Sequence, residues 1–256
     1  MRLFYVIVLL ACHIGYAGSL YWGQTGHRIV GEVASQHLDG KTKRKIKQLL
    51  GGKSLALVAN YADEIKSDER FKGFSPWHYV NFPFDSKYKD QEPSPYGDLI
   101  MGIEKCISVL KSESSSKEDK TFYLMLLIHF IGDLHQPLHV GRGEDRGGND
   151  IQVQWFGKGS NLHRVWDSDM INQYGMSYTE LTENLPVLTR AQKKELEKGN
   201  LMDWVYESQQ IAKTVYASAK TGEKLGYRYM YDHFGTVKKQ LQKGGLRLAK
   251  VLNAIF

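Results

Sequence analysis

Two pairs of histidine and aspartate stand four residues apart in this sequence: His129 with Asp133, and His163 with Asp167. Four residues is close to one helical turn, so each pair lies on one helix face and can grip one ion. From His129 the chain runs HFIGDLHQPLHVGRGEDRGGND. In that run Pro137 stops the first helix, and His139 brings a third imidazole to its mouth. Gly147-Gly148-Asn149 then permits a tight backbone path beside the cluster. One such pair alone reads as a buried histidine satisfied by a carboxylate. Two pairs with a third imidazole between them read as a metal centre. Imidazole and carboxylate without thiolate is the ligand set of an open, catalytic zinc site, whereas structural zinc sites usually carry cysteine.

The elements that must position these residues read as almost entirely helical, so the expected class is all-α. Apolar residues at helical spacing predict helices over 24–38, 41–50, 55–66, 96–111 and 120–134. The last of these is the most apolar and is expected at the centre. Asp63 falls near the end of the third. The stretch 82–96, rich in Pro, Asp and Lys, reads as a surface loop, and 112–116 as a polar loop. Residues 151–156 alternate (IQVQWF) and run into Gly157-Lys158-Gly159, which predicts one small β-hairpin. Further helices are expected over 161–174, 178–188, 191–198 and 202–219. The segment 227–256 reads as one long helix or two, weakened at Gly244-Gly245.

The chain has 256 residues, 42% of them hydrophobic, enough for one domain with a full core. Arg2, the apolar run 3–11 and the small residues through Ala17 and Gly18 read as a secretory signal peptide, too short to span a bilayer. The expected division is a leader over 1–21 and a mature domain over 22–256. Gly15-Tyr16-Ala17 fits a cleavage site. Leu9-Leu10-Ala11-Cys12 also resembles a lipobox, which leaves a lipid anchor through Cys12 open. The expected location is periplasmic or secreted. With Cys12 in the leader, Cys106 is alone in the mature chain, so bound metal rather than a disulfide is the expected staple. The formal charge is +6, or +5 once Arg2 leaves with the leader, a balance that suits a polyanionic substrate.

From Trp22 to the C-terminus the chain resembles the S1/P1 family of zinc-dependent single-strand nucleases. The resemblance rests on Trp22-Gly23-Gln24-Thr25-Gly26-His27, Ala62-Asp63-Glu64, Trp77-His78-Tyr79, the HFIGDLHQPLH run, Gly147-Gly148-Asn149, Asn161-Leu162-His163 with Trp166-Asp167, and Lys243-Gly244-Gly245-Leu246-Arg247-Leu248-Ala249. It implies a fold like that of zinc phospholipase C and P1 nuclease, and three zinc ions. Asp63, His78, His129 and Asp133 would hold one. His139, His163 and Asp167 would hold the second. The third would take the amine and carbonyl of an N-terminal Trp22, with His27 and a shared Asp133.

The same resemblance implies hydrolysis of single-stranded DNA and RNA to 5′-phosphate products, 3′-nucleotidase activity, and action as a monomer without a protein partner. A water bridging the two ions that share Asp133 would lose a proton and attack phosphorus in line with the leaving 3′ oxygen, and the remaining ion would stabilise that oxygen. Asp63 is expected to orient the nucleophile. Lys66 stands where the family typically has arginine; it supplies the charge without the bidentate fork. Tyr79 is expected to stack on a base. Asn81, where some members have aspartate, and Asn149 are expected at the base edge. His135 is expected to support the ligands from behind. The alternatives are a zinc phospholipase C and a non-catalytic zinc-binding protein.

Overall fold

Helix α1 (Gln24–His37) turns Ile29, Val30, Val33 and Ala34 fully inward, as its apolar spacing requires. The computed structural model describes residues 23–256; the leader and Trp22 lie outside the described residues. Helix α2 (Gly40–Leu49) starts at Asp39, whose carboxylate accepts from the Thr42 amide. Sequence spacing predicts one helix over 55–66. The chain instead forms two single turns, α3 (Leu55–Val58) and α4 (Tyr61–Glu64), separated at Ala59-Asn60. It continues as 3₁₀ turns over Ile65–Ser67 and Glu69–His78, the second containing Pro76.

Helix α5 (Leu99–Lys111) is capped by Asp98 and buries Cys106. Helix α6 (Lys117–Leu134), capped by Ser116, is buried on every side from Leu126 to Leu134. A helix apolar all round belongs at the centre of a protein, and α6 is there. It ends at Leu134, and Pro137 opens a 3₁₀ turn over Pro137–Val140.

Strands β1 (Gln152–Trp155) and β2 (Lys158–Asn161) form the expected hairpin, with Gln152 opposite Asn161 and Trp155 opposite Lys158. Phe156 and Gly157, the two loop residues, both have positive φ (48° and 78°), the twist that a two-residue hairpin demands. The predicted helix over 161–174 is three pieces: α7 (Leu162–Arg164), a π-helical turn over Val165–Asp169, and α8 (Met170–Tyr174).

Helices α9 (Tyr178–Glu183), α10 (Arg190–Leu196) and α11 (Leu201–Ala217) each begin with a capping box, at Ser177, Thr189 and Asn200. A two-residue strand, β3 (Lys224–Leu225), joins β1 in parallel and makes the hairpin a three-stranded sheet that the sequence pattern does not announce. Helix α12 (Tyr227–Ile255) is continuous through Gly244-Gly245. Those glycines are not a break. A Cβ on Gly245 would come within 2.4 Å of Val33 Cβ, and one on Gly244 within 3.3 Å of Val30 Cγ2. They let α12 lie directly on α1. Among the described residues no helix is long and apolar enough to cross a membrane.

Candidate metal centre

Helix α6 delivers His129 and Asp133 one turn apart, and both are fully buried. The other ligand candidates come from α1 (His27), α4 (Asp63), the 3₁₀ turns (His78 and His139), and α7 with the π turn after it (His163 and Asp167). Around the two oxygens of Asp133 stand four imidazoles: His78 Nδ1 at 2.9 Å, His139 Nδ1 at 3.0 Å, His129 Nε2 at 3.2 Å and His27 Nε2 at 3.5 Å. His27 comes from α1, and its ring stacks on that of His129 with centroids 3.7 Å apart. Gly132 makes that place possible, since a Cβ there would meet His27 Nδ1 at 2.7 Å. Asp63, on α4, puts Oδ1 3.6 Å from His129 Nε2 and 3.7 Å from His78 Nδ1. His139 Nε2 approaches Asp167 Oδ1 at 3.5 Å, and the His139 and His163 rings stack with centroids 5.0 Å apart.

Three of these rings are aimed by backbone carbonyls. Nδ1 of His129 donates to the Ala59 carbonyl at 2.6 Å, that of His139 to His78 at 2.9 Å, and that of His163 to Gly147 at 2.8 Å. A carbonyl only accepts, so each ring carries its proton on Nδ1 and turns the Nε2 lone pair inward. The break between α3 and α4 therefore has a use: it frees the Ala59 carbonyl. The tight path at Gly147 (φ 66°) serves the same end for His163, because a Cβ there would strike the Leu138 carbonyl at 2.6 Å.

The ligand atoms fall into three sets, each within 4.8 Å of one another: His27, His129 and Asp133; Asp63, His78 and His129; and His139, His163 and Asp167. The residues fit cations. His139 Nε2 and Asp167 Oδ2 are buried and make no hydrogen bond. Two fully buried carboxylates surrounded by inward lone pairs need positive charge. Without metal, protons supply it. Burial alone would raise the Asp133 pKa, but His129, His139 and His78 hold it well below the carboxylate range. Burial opposes the charge on His139 too, yet Asp133 and then Asp167 push that ring up to about 10. Burial prevails at His78 and His163, which fall to about 3 and about 4. At His27, too, burial lowers the pKa.

Lys66 and the three pocket candidates also come to this centre. Lys66 Nζ donates to Asp63 Oδ1 at 2.7 Å. A cleft of about 370 Å³ opens against His78, His139 and His163, and Tyr79, Asn81 and Asn149 line it. Tyr79 is 47% exposed, so its ring is not core packing. Asn81 Oδ1 and Asn149 Oδ1 are buried without a hydrogen-bond partner, while Asn149 Nδ2 donates to the Arg146 carbonyl at 2.8 Å.

Sequence reasoning missed two residues here. Gln136 accepts from the Leu138 amide at 2.6 Å and donates to Asp167 Oδ1 at 3.4 Å; a buried polar residue just before Pro137 was the available signal. Arg146 lines the cleft in a left-handed conformation (φ 52°) and pairs with Asp150 at 2.6 Å. His135 is not part of the cluster. It caps α6 and accepts from Arg247 Nη1 at 3.1 Å. Trp22 lies outside the described residues. Its neighbour Gly23 donates its amide to the Asp167 carbonyl at 2.8 Å.

The S1/P1 Nuclease family model matches residues 22–256. Endonuclease 4 of Arabidopsis thaliana is 32% identical over 277 residues, which span 93% of this chain and 90% of that protein. Endonuclease 5 of the same plant is also 32% identical, over 100% of this chain and 97% of its own length. Nuclease P1 of Penicillium citrinum is 29% identical, over 91% and 97%. The ligand geometry and the match across the described chain lead to one conclusion: this protein belongs to the S1/P1 nuclease family of phosphodiester hydrolases.

Proposed function

We propose that this protein is an exported, zinc-dependent endonuclease that cuts single-stranded DNA and RNA to 5′-phosphate products and removes 3′-phosphate from nucleotides. One observation carries the reading: a half-exposed Tyr79 ring stands on the wall of a cleft floored by buried His78, His139 and His163. Asp63, His78, His129 and Asp133 would hold one zinc, His139, His163 and Asp167 a second, and Trp22, His27 and Asp133 a third. Gly23, the first described residue, is anchored by its amide on the carbonyl of Asp167, one of the ligand candidates, and this supports maturation at Trp22. Bound zinc supplies Lewis-acid charge and brings the pKa of water to about 7.

The chain's own residues do the rest. Asp63 accepts the Lys66 hydrogen bond at the rim of the cluster and offers its second oxygen to orient an incoming water. Lys66 offers positive charge to the phosphoryl oxygens as charge builds on them. Tyr79 gives a base a face to stack on, whatever its sequence. The unpartnered amide oxygens of Asn81 and Asn149 accept from exocyclic amino groups. A base reaches this cleft only after leaving its stack, which favours single strands.

The test uses zinc-loaded protein beginning at Trp22, with single-stranded DNA, RNA and phosphatidylcholine as separate substrates. Cleavage of both nucleic acids to 5′-phosphate ends, lost in EDTA and restored by zinc, is the expected result. Full zinc occupancy with no nucleic acid cleaved would overturn the reading, and phosphatidylcholine hydrolysis would replace it with a phospholipase.

A further inference from the structure

Away from the metal centre, the first turns of α12 and the end of α8 present aromatic rings to solvent that no core claims. Tyr227 is 78% exposed, Tyr231 82% and Tyr174 39%. Tyr227, Tyr231, Phe234 and Lys238 lie at spacings of four, three and four on one face of α12. Together with Tyr174 and Arg228 they wall an open groove of about 820 Å³ that no carboxylate lines among the described residues. Its rings are braced rather than loose. Tyr174 packs on Phe234 with centroids 4.3 Å apart, and Tyr227 meets Phe156 edge-on at 4.6 Å.

Each end of the groove carries a cation. Lys238 Nζ stands 5.7 Å from the ring centres of both Tyr174 and Phe234, and the Arg228 guanidinium 5.4 Å from that of Tyr231. Asp232 takes one edge of Arg228 at 2.7 Å. Between these groups Gly235 leaves a notch: a Cβ built there meets nothing within 4 Å.

We infer that this groove is an accessory binding surface for single-stranded nucleic acid, separate from the catalytic cleft. Exposed rings one helical turn apart give successive bases a face each, and the lysine and arginine beside them answer the phosphates. A carbohydrate site would call for carboxylate or amide partners to hydroxyl groups, and among the described residues Gln173 is the one amide on the wall. A strand held here is a substrate captured at a second point, so its local concentration at the cleft rises. The inference rests on the nuclease reading, and the kinetics separate the two.

The experiment compares a twenty-nucleotide oligothymidylate with the dinucleotide TpT, using zinc-loaded protein. The dinucleotide probes the cleft alone, since none of the residues lining the cleft also lines the groove. In the double variant Tyr227→Ala/Tyr231→Ala, KM for the oligomer should rise at least about fivefold while the TpT constants stay unchanged. Gly235→Glu, which keeps every ring and favours the helix, should do the same by filling the notch with negative charge. Unchanged oligomer KM in both variants would overturn the inference. So would loss of binding to anionic phosphatidylglycerol vesicles in the same variants with oligomer KM intact, which would make this a lipid-facing surface. Failure of the unaltered protein to cut either substrate would instead sink the nuclease reading; anisotropy of the labelled oligomer would then decide this one, with equal affinity in all three proteins overturning it.

Discussion

Replacing Gly132 by alanine should remove one metal position and leave the others in place. A methyl there would sit 2.7 Å from His27 Nδ1 and 3.2 Å from Cε1, where ordinary contact begins near 3.4 Å. The ring must therefore withdraw by about 0.7 Å, the difference between those two distances. Movement towards His129 is closed, because the ring is already stacked on it at 3.7 Å. Zinc sites hold their ligands to within about 0.2 Å, so His27 would leave its place. Overpacking costs about 1–3 kcal/mol, and alanine returns about 0.5–1 kcal/mol of helix propensity, so the protein should stay folded. The assay is metal content by atomic emission after dialysis at fixed free zinc, with thermal unfolding alongside. The expected result is two zinc ions in place of three and activity lower by about 100-fold, the usual penalty for a 1 Å misplacement. A full metal complement with undiminished activity would refute the reasoning and make His27 a packing residue.

Three other outcomes are expected. Tyr79→Ala should raise KM for oligonucleotides by about five- to 150-fold, from the 1–3 kcal/mol that a stacked base is worth, while Tyr79→Phe stays near the native value in the same steady-state assay. Lys66→Ala should keep its zinc by atomic emission and lose about 100-fold in kcat, as for removal of one group that stabilises transition-state charge; an unchanged kcat would make Lys66 an ordinary partner of Asp63. The third concerns His135, whose pKa burial and then Arg247 lower from 6.5 to about 3. Between those values the unfolded chain binds a proton that the folded one refuses, so this stability is present above pH 6.5 and is lost as pH falls. The slope is at most about 1.4 kcal/mol per pH unit. Urea unfolding at pH 7.5 and 5.5 should therefore show the native protein losing more stability than His135→Gln, and parallel losses would rule the proton out.

The two four-residue pairs were legible in the sequence because helical geometry alone puts them on one face. That His78 and Asp63 join them was not legible from spacing. Both sit on short turns without periodicity, and only the resemblance placed them. Gly244-Gly245 shows the opposite failure. Propensity marks the pair as a weak point, but the physical cause is the approach of α12 to Val30 and Val33, a tertiary contact no local rule contains. The π turn over Val165–Asp169 was hidden as well, because nothing in its residue types announces the wider winding. Strand β3, only two residues long, is too short to carry a pattern.

The three imidazoles are aimed by the carbonyls of Ala59, His78 and Gly147, and a main-chain oxygen cannot be deleted by substitution. The tautomers are thus written into the path of the chain rather than into side chains. An engineer could exchange the residues lining the cleft to change which bases it accepts, and the electronic state of the metal ligands would be left alone. Inserting or removing a single residue near 59–60 or 141–148 is another matter. It would shift a carbonyl by the length of a peptide, swing an imidazole with it, and detune the centre without touching a ligand. For this architecture substitution is the safe way to vary specificity, and changes of loop length are the hazard.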